Sequence, residues 1–506
     1  MHLQVEVESG TLRGVELLNG RCAAFKGIPF AAPPVGDLRW RAPQPVQAWQ
    51  GIRPADRFGN APVQPLIAGD SIMRLFSFAQ PPECGISEDC LYLNVWSGAK
   101  TRDEKLPVIV WIFGGGHRVG SASHLVADGA ALAAKGAVVV SVNYRLGALG
   151  YLAHPALTAE SGSSGNFASM DIIAGLEWVQ RNIEVFGGNP ECVTIFGQSA
   201  GAAHVNVLAA SSLARGLFHR AIAHSSGRFA GGPMGAPMKT REQAEHAGEK
   251  LLHELGATTL QQIRNLPADV MGGPRGFWNL IIDGAVLQSS VQATFDRGEA
   301  IKVPLLAGYT ADEAAPYPQR DLQTVQGFRD FANTDYGPDA LKFLELYPHE
   351  NDQEASQSSY WLRRDTAFAY QPWRYACHAA QAGEKDVYMF NFSQVIPLPL
   401  PVMQSFHEPE PPAGYGAFHG SELWYVFNNL SSLPWTVSDQ DVVLAEQMSS
   451  AWLNFALYGK PGAMGGSEWP AFSVDHPVAM QLSDQIHAGP LLNQAALDFH
   501  YRHFNR

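Results

Sequence analysis

Thr194-Ile195-Phe196-Gly197-Gln198-Ser199-Ala200-Gly201 places a serine between two glycines, directly after a short apolar run. The run reads as a buried strand, and the glycines let the backbone reverse sharply into a helix. A serine on such a corner is strained, and its Oγ is exposed as a nucleophile's must be. The segment therefore implies a strand–turn–helix unit built around a reactive alcohol.

Apolar runs of strand length recur on both sides of it, at 106–113, 137–142, 193–196, 221–223, 303–307 and 387–392. Several are β-branched and lack alternation, as strands covered on both faces do. Between them lie helical patterns. Ile172, Leu176, Val179, Ile183 and Phe186 recur at steps of four and three, and Gly187-Gly188-Asn189-Pro190 supplies a stop. Val442, Leu444, Met448, Trp452 and Phe455 mark a late helix ended by Gly459-Lys460-Pro461. This alternation predicts an α/β fold with a central, mostly parallel twisted sheet flanked by helices. The first hundred residues, rich in Gly and Pro, predict an antiparallel edge and loops. The Pro-rich stretch 397–412 predicts a surface loop near the active site.

The chain has 506 residues, of which 46% are hydrophobic and 16% charged, so a large core is available and disorder is excluded over most of its length. One domain spanning 1–506, with insertions on one sheet, is expected. The net charge of −13 argues against a nucleic-acid surface. No run of about 18 apolar residues predicts a membrane span. The start, Met1-His2-Leu3-Gln4-Val5-Glu6-Val7-Glu8, lacks the basic and apolar stretches of a secretion signal. Five cysteines, few and odd in number, suit a reducing compartment, and a cytoplasmic location is expected. No His/Cys/Asp spacing suggests zinc, and neither a metal nor an organic cofactor is expected.

A serine alcohol needs a base to take its proton, an acid to orient that base, and N–H donors for the developing oxyanion. The donors point to a Gly-rich loop upstream. Trp111-Ile112-Phe113-Gly114-Gly115-Gly116-His117 follows the run 106–113, although taken alone it could be a tight turn.

At this point the chain resembles the type B carboxylesterases of the carboxylesterase and cholinesterase family, over nearly its whole length. Phe25-Lys26-Gly27-Ile28-Pro29-Phe30-Ala31, Leu38-Arg39-Trp40 and Ser87-Glu88-Asp89-Cys90-Leu91-Tyr92-Leu93-Asn94-Val95 resemble its opening signatures. Asn143-Tyr144-Arg145-Leu146-Gly147, Gly165-Asn166, Asn182-Ile183 and the serine segment follow in family order. The resemblance implies an α/β-hydrolase fold with loop and helical insertions around an active-site gorge. It implies a serine carboxylesterase acting through an acyl-enzyme on small-molecule esters, including bulky or aryl ones, as a monomer or small homo-oligomer. A carbamate, amide or toxin-ester hydrolase with the same residues is the alternative, and a non-catalytic binding protein a remote one.

By the same resemblance, Gly308-Tyr309-Thr310-Ala311-Asp312-Glu313 carries the triad acid, Glu313, with Asp312 as its structural neighbour. Gly416-Ala417-Phe418-His419-Gly420-Ser421-Glu422-Leu423 carries the triad base, His419. Ser199, Glu313 and His419 follow in the chain order such a fold requires. Gly115, Gly116 and Ala200 are implied as oxyanion-hole donors, and Arg39–Glu88 and Arg145–Asp171 as buried ion pairs. Ser225 is implied either as a serine behind the triad or as a capped strand end.

The chain departs from the pattern in places. Gln198 stands where many relatives carry glutamate, so it offers the base a neutral amide rather than a charge. Phe113 and His117 flank the glycines with the aromatic and the histidine exchanged. His117 either faces the pocket or, as the preferred expectation, is tied to the loop backbone. Cys90 has no partner in 58–62, and Cys84 is too near for the family's loop, so free thiols are expected. The segment 72–78 is either a mobile apolar flap or a packed loop. Three consecutive glycines resemble relatives that accept tertiary alcohol esters.

Overall fold

The computed structural model describes residues 2–76, 84–229, 237–272 and 278–505. Its centre is an 11-stranded sheet. In chain order the strands are β1 (Val15–Leu17), β2 (Cys22–Pro29), β3 (Tyr92–Ser97), β4 (Leu106–Ile112), β5 (Val138–Val142), β6 (Gly188–Gln198), β7 (Arg220–His224), β8 (Leu305–Thr310), β9 (Val387–Phe392), β10 (Val478–Leu482) and β11 (His487–Pro490). Their spatial order is β11-β10-β9-β8-β7-β6-β4-β5-β3-β2-β1. From β5 through β10 every neighbouring pair is parallel, and both edges are antiparallel. Side chains of β5, β8 and β9 are buried throughout, which explains why those strands read as unbroken apolar runs. A separate 3-stranded sheet contains Gln4–Val7, Gly10–Arg13 and Ile52–Pro54.

Helices α1 (Phe167–Asn182), α2 (Ala200–Ala210), α3 (Tyr370–Gln381) and α4 (Asp439–Tyr458) pack against this sheet. Two expectations need correction. The apolar spacing 172–186 is not one helix: α1 stops at Asn182, and Ile183–Phe186 tighten into a 3-10 turn before Gly187 at φ 80°. Gly188-Asn189-Pro190 then opens β6 rather than a loop. Within α4, Val442 is exposed, while Leu444, Met448, Trp452 and Phe455 are buried. Ser438 caps the helix, and Gly459 ends it at φ 74°. A second hydrophobic cluster joins Val325–Tyr336, Ala340–Leu346 and Asp352–Arg363 to the late helix Gln494–Phe504.

The segment 72–78 begins as a short helix, Ile72–Phe76, with Ile72 and Met73 buried, while Ser77 and Phe78 lie outside the described residues. Glu408, from the Pro-rich stretch, clamps its start by accepting from Ser71 Oγ (2.5 Å) and the Ile72 N–H (3.1 Å). None of the five cysteines is in a disulfide. No helix among the described residues is long and apolar enough to cross a membrane.

Two ion pairs pin loops to this frame. Arg145 donates to Asp171 from Nε (2.8 Å), Nη2 (2.7 Å) and its backbone N–H (3.0 Å), and both residues are buried. Arg39 makes a bidentate pair with Glu88 and also donates to the carbonyls of Arg264 and Leu266, but the Glu88 side chain is 15% exposed. Removing one partner of a buried pair strands the other charge at about 3–5 kcal/mol. Asp171→Ala is therefore expected to lower the denaturation midpoint by more than Glu88→Ala. Equal shifts in chemical denaturation would show that burial does not set the cost.

Candidate active site

The turn between β6 and α2 is dictated by contact between backbones. A Cβ on residue 197 would stand 2.3 Å from the Gly201 carbonyl, and one on residue 201 would stand 2.0 Å from the Ile112 carbonyl. Both positions must be glycine. Ser199, between them, has φ 56° and ψ −126°, a conformation that costs a non-glycine residue about 1–3 kcal/mol. Its N–H is held by the His224 carbonyl at 2.9 Å. The side chain lines a cavity of about 480 Å³ shared with Gly114, Gly115, Gly116, Gln198 and His419. Trp111, Phe113, Val119, Val126, Phe368 and Leu423 give that cavity apolar walls, and Arg118 adds a cation.

Glu313 and His419 come from the two loops that the isolated bridge Asp312–Phe418 holds side by side. Asp312 fastens them by accepting from the Ala417 N–H at 2.9 Å, while its own N–H donates to the Ala417 carbonyl at 3.0 Å. Gly416, at φ 56°, leaves room for this, because a Cβ there would stand 2.0 Å from Asp312 Oδ2. The fully buried Glu313 carboxylate accepts from the Thr310 N–H (2.9 Å) and from His419 Nδ1 (2.5 Å). His419 is thereby fixed with its Nε2 lone pair toward the cavity.

That lone pair is already occupied. Gln198 Nε2 lies 3.1 Å from His419 Nε2, and the amide is the donor when the imidazole is neutral. No hydrogen bond joins Ser199 Oγ to the ring among the described residues. An amide can do what a carboxylate cannot, which is donate to the neutral ring, and rotated by half a turn it presents oxygen to an imidazolium N–H. Gln198 can therefore follow either protonation state of His419 without adding charge.

The Gly-rich loop leaves β4 directly over the elbow. A Cβ on Gly114 would meet Ser199 Cβ at 2.9 Å, so only glycine passes. Gly115 and Gly116 have φ 114° and 61°, and their N–H groups donate to no protein acceptor among the described residues. Ala200 is the first residue of α2, so its N–H has no acceptor within the helix. Phe113 anchors the loop: its ring stacks on Tyr144 at 4.1 Å, and its carbonyl accepts from Tyr144 Oη at 2.6 Å.

His117 fulfils neither expectation. Its side chain does not line the cavity and is not tied to backbone. Nδ1 lies 2.9 Å from Tyr151 Oη, which lies 2.7 Å from His204 Nε2. Burial, then His204 and Arg228, hold His117 well below the usual imidazole range. Ser225 directly follows β7 with φ 59°, its buried Oγ without a hydrogen-bond partner among the described residues.

Some residues that shape the site gave no signal in the sequence. Phe368 packs on His419 with ring centroids 4.6 Å apart and lies in a π-helical turn, Arg364–Ala369, just before α3. Tyr317 packs on the same imidazole at 5.8 Å. Behind Glu313 and His419 is a second buried pair. Trp452 Nε1–H donates to His224 Nε2 at 3.1 Å, which leaves Nδ1–H to donate to Glu422 Oε1 at 3.1 Å. Burial, with the nearby Glu313 charge, pushes the Glu422 carboxyl up to about 8, and burial pulls His224 down to about 3. Glu422 lies in the very stretch that marks His419, but nothing in its spelling reveals a partner 198 residues away.

The model of the Carboxylesterase family matches residues 2–500. The chain is 36% identical to the fumonisin B1 esterase of Sphingopyxis macrogoltabida, over 92% of this chain and 84% of that one. It is 32% identical to the para-nitrobenzyl esterase of Bacillus subtilis, over 91% of each. It is 31% identical to the cocaine esterase of Oryctolagus cuniculus, over 97% of this chain and 93% of that one.

The Glu422 shift has a signed consequence. A carboxyl raised from 4.5 to about 8 keeps its proton in the fold while the unfolded chain releases it. Its contribution to stability is complete below 4.5 and is lost as pH rises toward 8. Glu422→Gln is therefore expected to flatten the decline of melting temperature across that interval. Parallel curves for variant and parent would refute a protonated Glu422.

Proposed function

The chain belongs to the carboxylesterase family, and we propose that it hydrolyses carboxylic esters at the cavity beneath its Gly-rich loop, with Ser199 as nucleophile. The observation that carries this reading is the arrangement of Ser199 on its strained corner, facing the same cavity as an imidazole whose far nitrogen is tied to a buried carboxylate. A single α/β-hydrolase domain spanning 1–506 is the organisation we infer.

The chemistry follows from the geometry. An ester carbonyl placed over the elbow puts its oxygen near the N–H groups of Gly115, Gly116 and Ala200, which are fixed before the reaction begins. Ser199 Oγ attacks while His419 Nε2 takes its proton, and the Glu313 carboxylate stabilises the imidazolium that forms. The Gln198 amide must first turn away from Nε2. The imidazolium then gives its proton to the leaving alcohol, and an acyl-enzyme remains on Ser199. Water, activated by the same imidazole, releases the acid. The aromatic walls suit bulky or aryl groups, in keeping with the names of the para-nitrobenzyl and cocaine esterases among the relatives. Those names favour esters over carbamates or amides.

A fluorophosphonate is expected to label Ser199, and Ser199→Ala to lower kcat on p-nitrophenyl esters by about 10⁴-fold or more. Labelling elsewhere, or an active alanine variant, would remove Ser199 from this role. Gln198→Glu places a charge beside His419 and favours its protonated form. The acid limb of the kcat/KM profile should move to higher pH by about 1–3 units. An unchanged limb would mean that the side chain at 198 does not reach the working imidazole.

A further inference from the structure

Three consecutive glycines do not set their own backbone angles, yet an oxyanion hole works only if its N–H groups are fixed in advance. The run Gly114-Gly115-Gly116 is held from outside at both ends. At its start, the Phe113 ring stacks on Tyr144 and its carbonyl accepts from Tyr144 Oη. At its end, His117 has φ 63°, its carbonyl accepts from the Gly147 N–H at 2.8 Å, and its Nδ1 lies 2.9 Å from Tyr151 Oη. Gly147 and Tyr151 are the first and last residues of one short helix, Gly147–Tyr151. That helix therefore holds His117 by its backbone and by its ring.

Both tyrosines meet on His204. Its Nε2 lies 2.7 Å from Tyr151 Oη, and its ring packs edge-on to Tyr144 with centroids 5.0 Å apart. His204 belongs to α2 and stands one turn beyond Ala200, whose N–H is the third donor of the proposed hole. The other two donors lie on the loop. The hole is thus assembled from two elements, and His117, Tyr151 and His204 form a line of side chains that joins them. All three are buried, and Ser169 Oγ continues the line 3.2 Å from His204 Nδ1. Burial, before any other cause, holds both imidazoles below their usual range, His204 at about 3, so both are neutral. A neutral imidazole has one donor and one acceptor nitrogen, and a phenol both gives and takes a hydrogen. Every bond in the line is therefore satisfied, whichever way it runs, without a charge.

We propose that His117, Tyr151 and His204 are positioning residues of the oxyanion hole, a buried tether that fixes the Gly115 and Gly116 N–H groups relative to that of Ala200. None of the three lines the cavity that Ser199 faces, so they act on the reaction only through the loop and the helix. The inference rests on the reading of Ser199 as nucleophile. A tetrahedral oxyanion forms both when the acyl-enzyme is made and when it is released, so a loosened hole lowers kcat whichever step limits it. The ground-state ester carries little charge on that oxygen, so KM is spared.

The test uses the full-length protein, 4-nitrophenyl esters, and an alkyl trifluoromethyl ketone, whose adduct with the serine carries the oxyanion. Tyr151→Phe removes one oxygen atom, and His117→Leu removes the ring but leaves Tyr151 and His204 in place. His117→Asn keeps a polar atom near the position of Nδ1 and suits the positive φ. Tyr151→Phe and His117→Leu should each lower kcat by about 10-fold or more, with KM within about twofold of the parent. Affinity for the ketone should weaken by the same factor as kcat. His117→Asn should recover most of the loss, and the double variant should lose no more than either single one. Unchanged kcat and ketone affinity in His117→Leu, whatever its melting temperature, overturn the proposal and leave the reading of Ser199 intact. So does a raised KM at unchanged kcat, which would place these side chains in substrate binding. Failure of the parent protein to hydrolyse any ester, with no fluorophosphonate label, overturns the reading of Ser199 and this inference with it.

Discussion

The carbonyl of Ile112 stands 2.0 Å from where a side chain at position 201 would begin, and much of the site is arranged around that contact. It exists because Ile112 and Gly197 are paired in register across the parallel strands β4 and β6. Helix α2 must therefore start against the end of β4, and the loop leaving β4 must pass over the start of α2. One close approach thus delivers both a strained serine and the Gly-rich loop above it. The small residues Ala200, Gly201, Ala202 and Ala203 let α2 lie close on the sheet, and its burial outweighs the strain at Ser199. A methyl group at 197 or 201 would force the strands apart and uncouple the two parts.

The remaining site groups reach the same end of the sheet by other routes. Glu313 follows β8 by three residues, and its loop is stitched to the one carrying His419 through Asp312 and Ala417. Such loops lie at the carboxyl ends of parallel strands, where open α/β sheets form their crevices. The bonds that orient Glu313 and His419 come from groups already fixed by the sheet, so the constellation is built before substrate arrives. Gln198 is the exception. It is rigidly placed at the elbow but holds the imidazole nitrogen that the proposed reaction needs, so in that reaction its amide has to move within an otherwise preorganised site.

Much of the sheet was legible because its strands are covered on both faces and therefore spell continuous apolar runs. Two faces of burial also explain the errors. Apolar spacing continued through 183–186 because those residues pack beneath the sheet whether they are helical or 3-10, and periodicity cannot tell the two apart. Gly188-Asn189-Pro190 resembled a stop, yet Gly188 pairs with Leu106 on β4. Local spelling singled out Ser199, Glu313 and His419, and the fold brings these three side chains to one end of the sheet. The contact of His117 was not legible, since its partner Tyr151 lies 34 positions away and is chosen by packing. Phe368 was invisible for the same reason: an aromatic in a helix or loop carries no local mark of what it will face.

Two buried carboxyls lie close together behind His419, and their surroundings assign them different charges. Glu313 has a donor on each oxygen, the Thr310 N–H and the His419 ring, so both are satisfied as acceptors. Glu422 accepts from the His224 ring, and its Oε2 has no side-chain partner among the described residues, as the neighbouring Ser225 and Ser421 hydroxyls have none. A carboxylate stranded in this way favours its neutral form, and repulsion from Glu313 pushes the same way. The indole of Trp452 settles the rest, since by donating to His224 Nε2 it fixes the tautomer that donates to Glu422. The negative charge behind His419 therefore resides on the one carboxylate aimed at it, and the second remains available as an uncharged support. Were Glu422 ionised as well, two like charges would share a dry interior, and an imidazolium at His419 would be drawn between them.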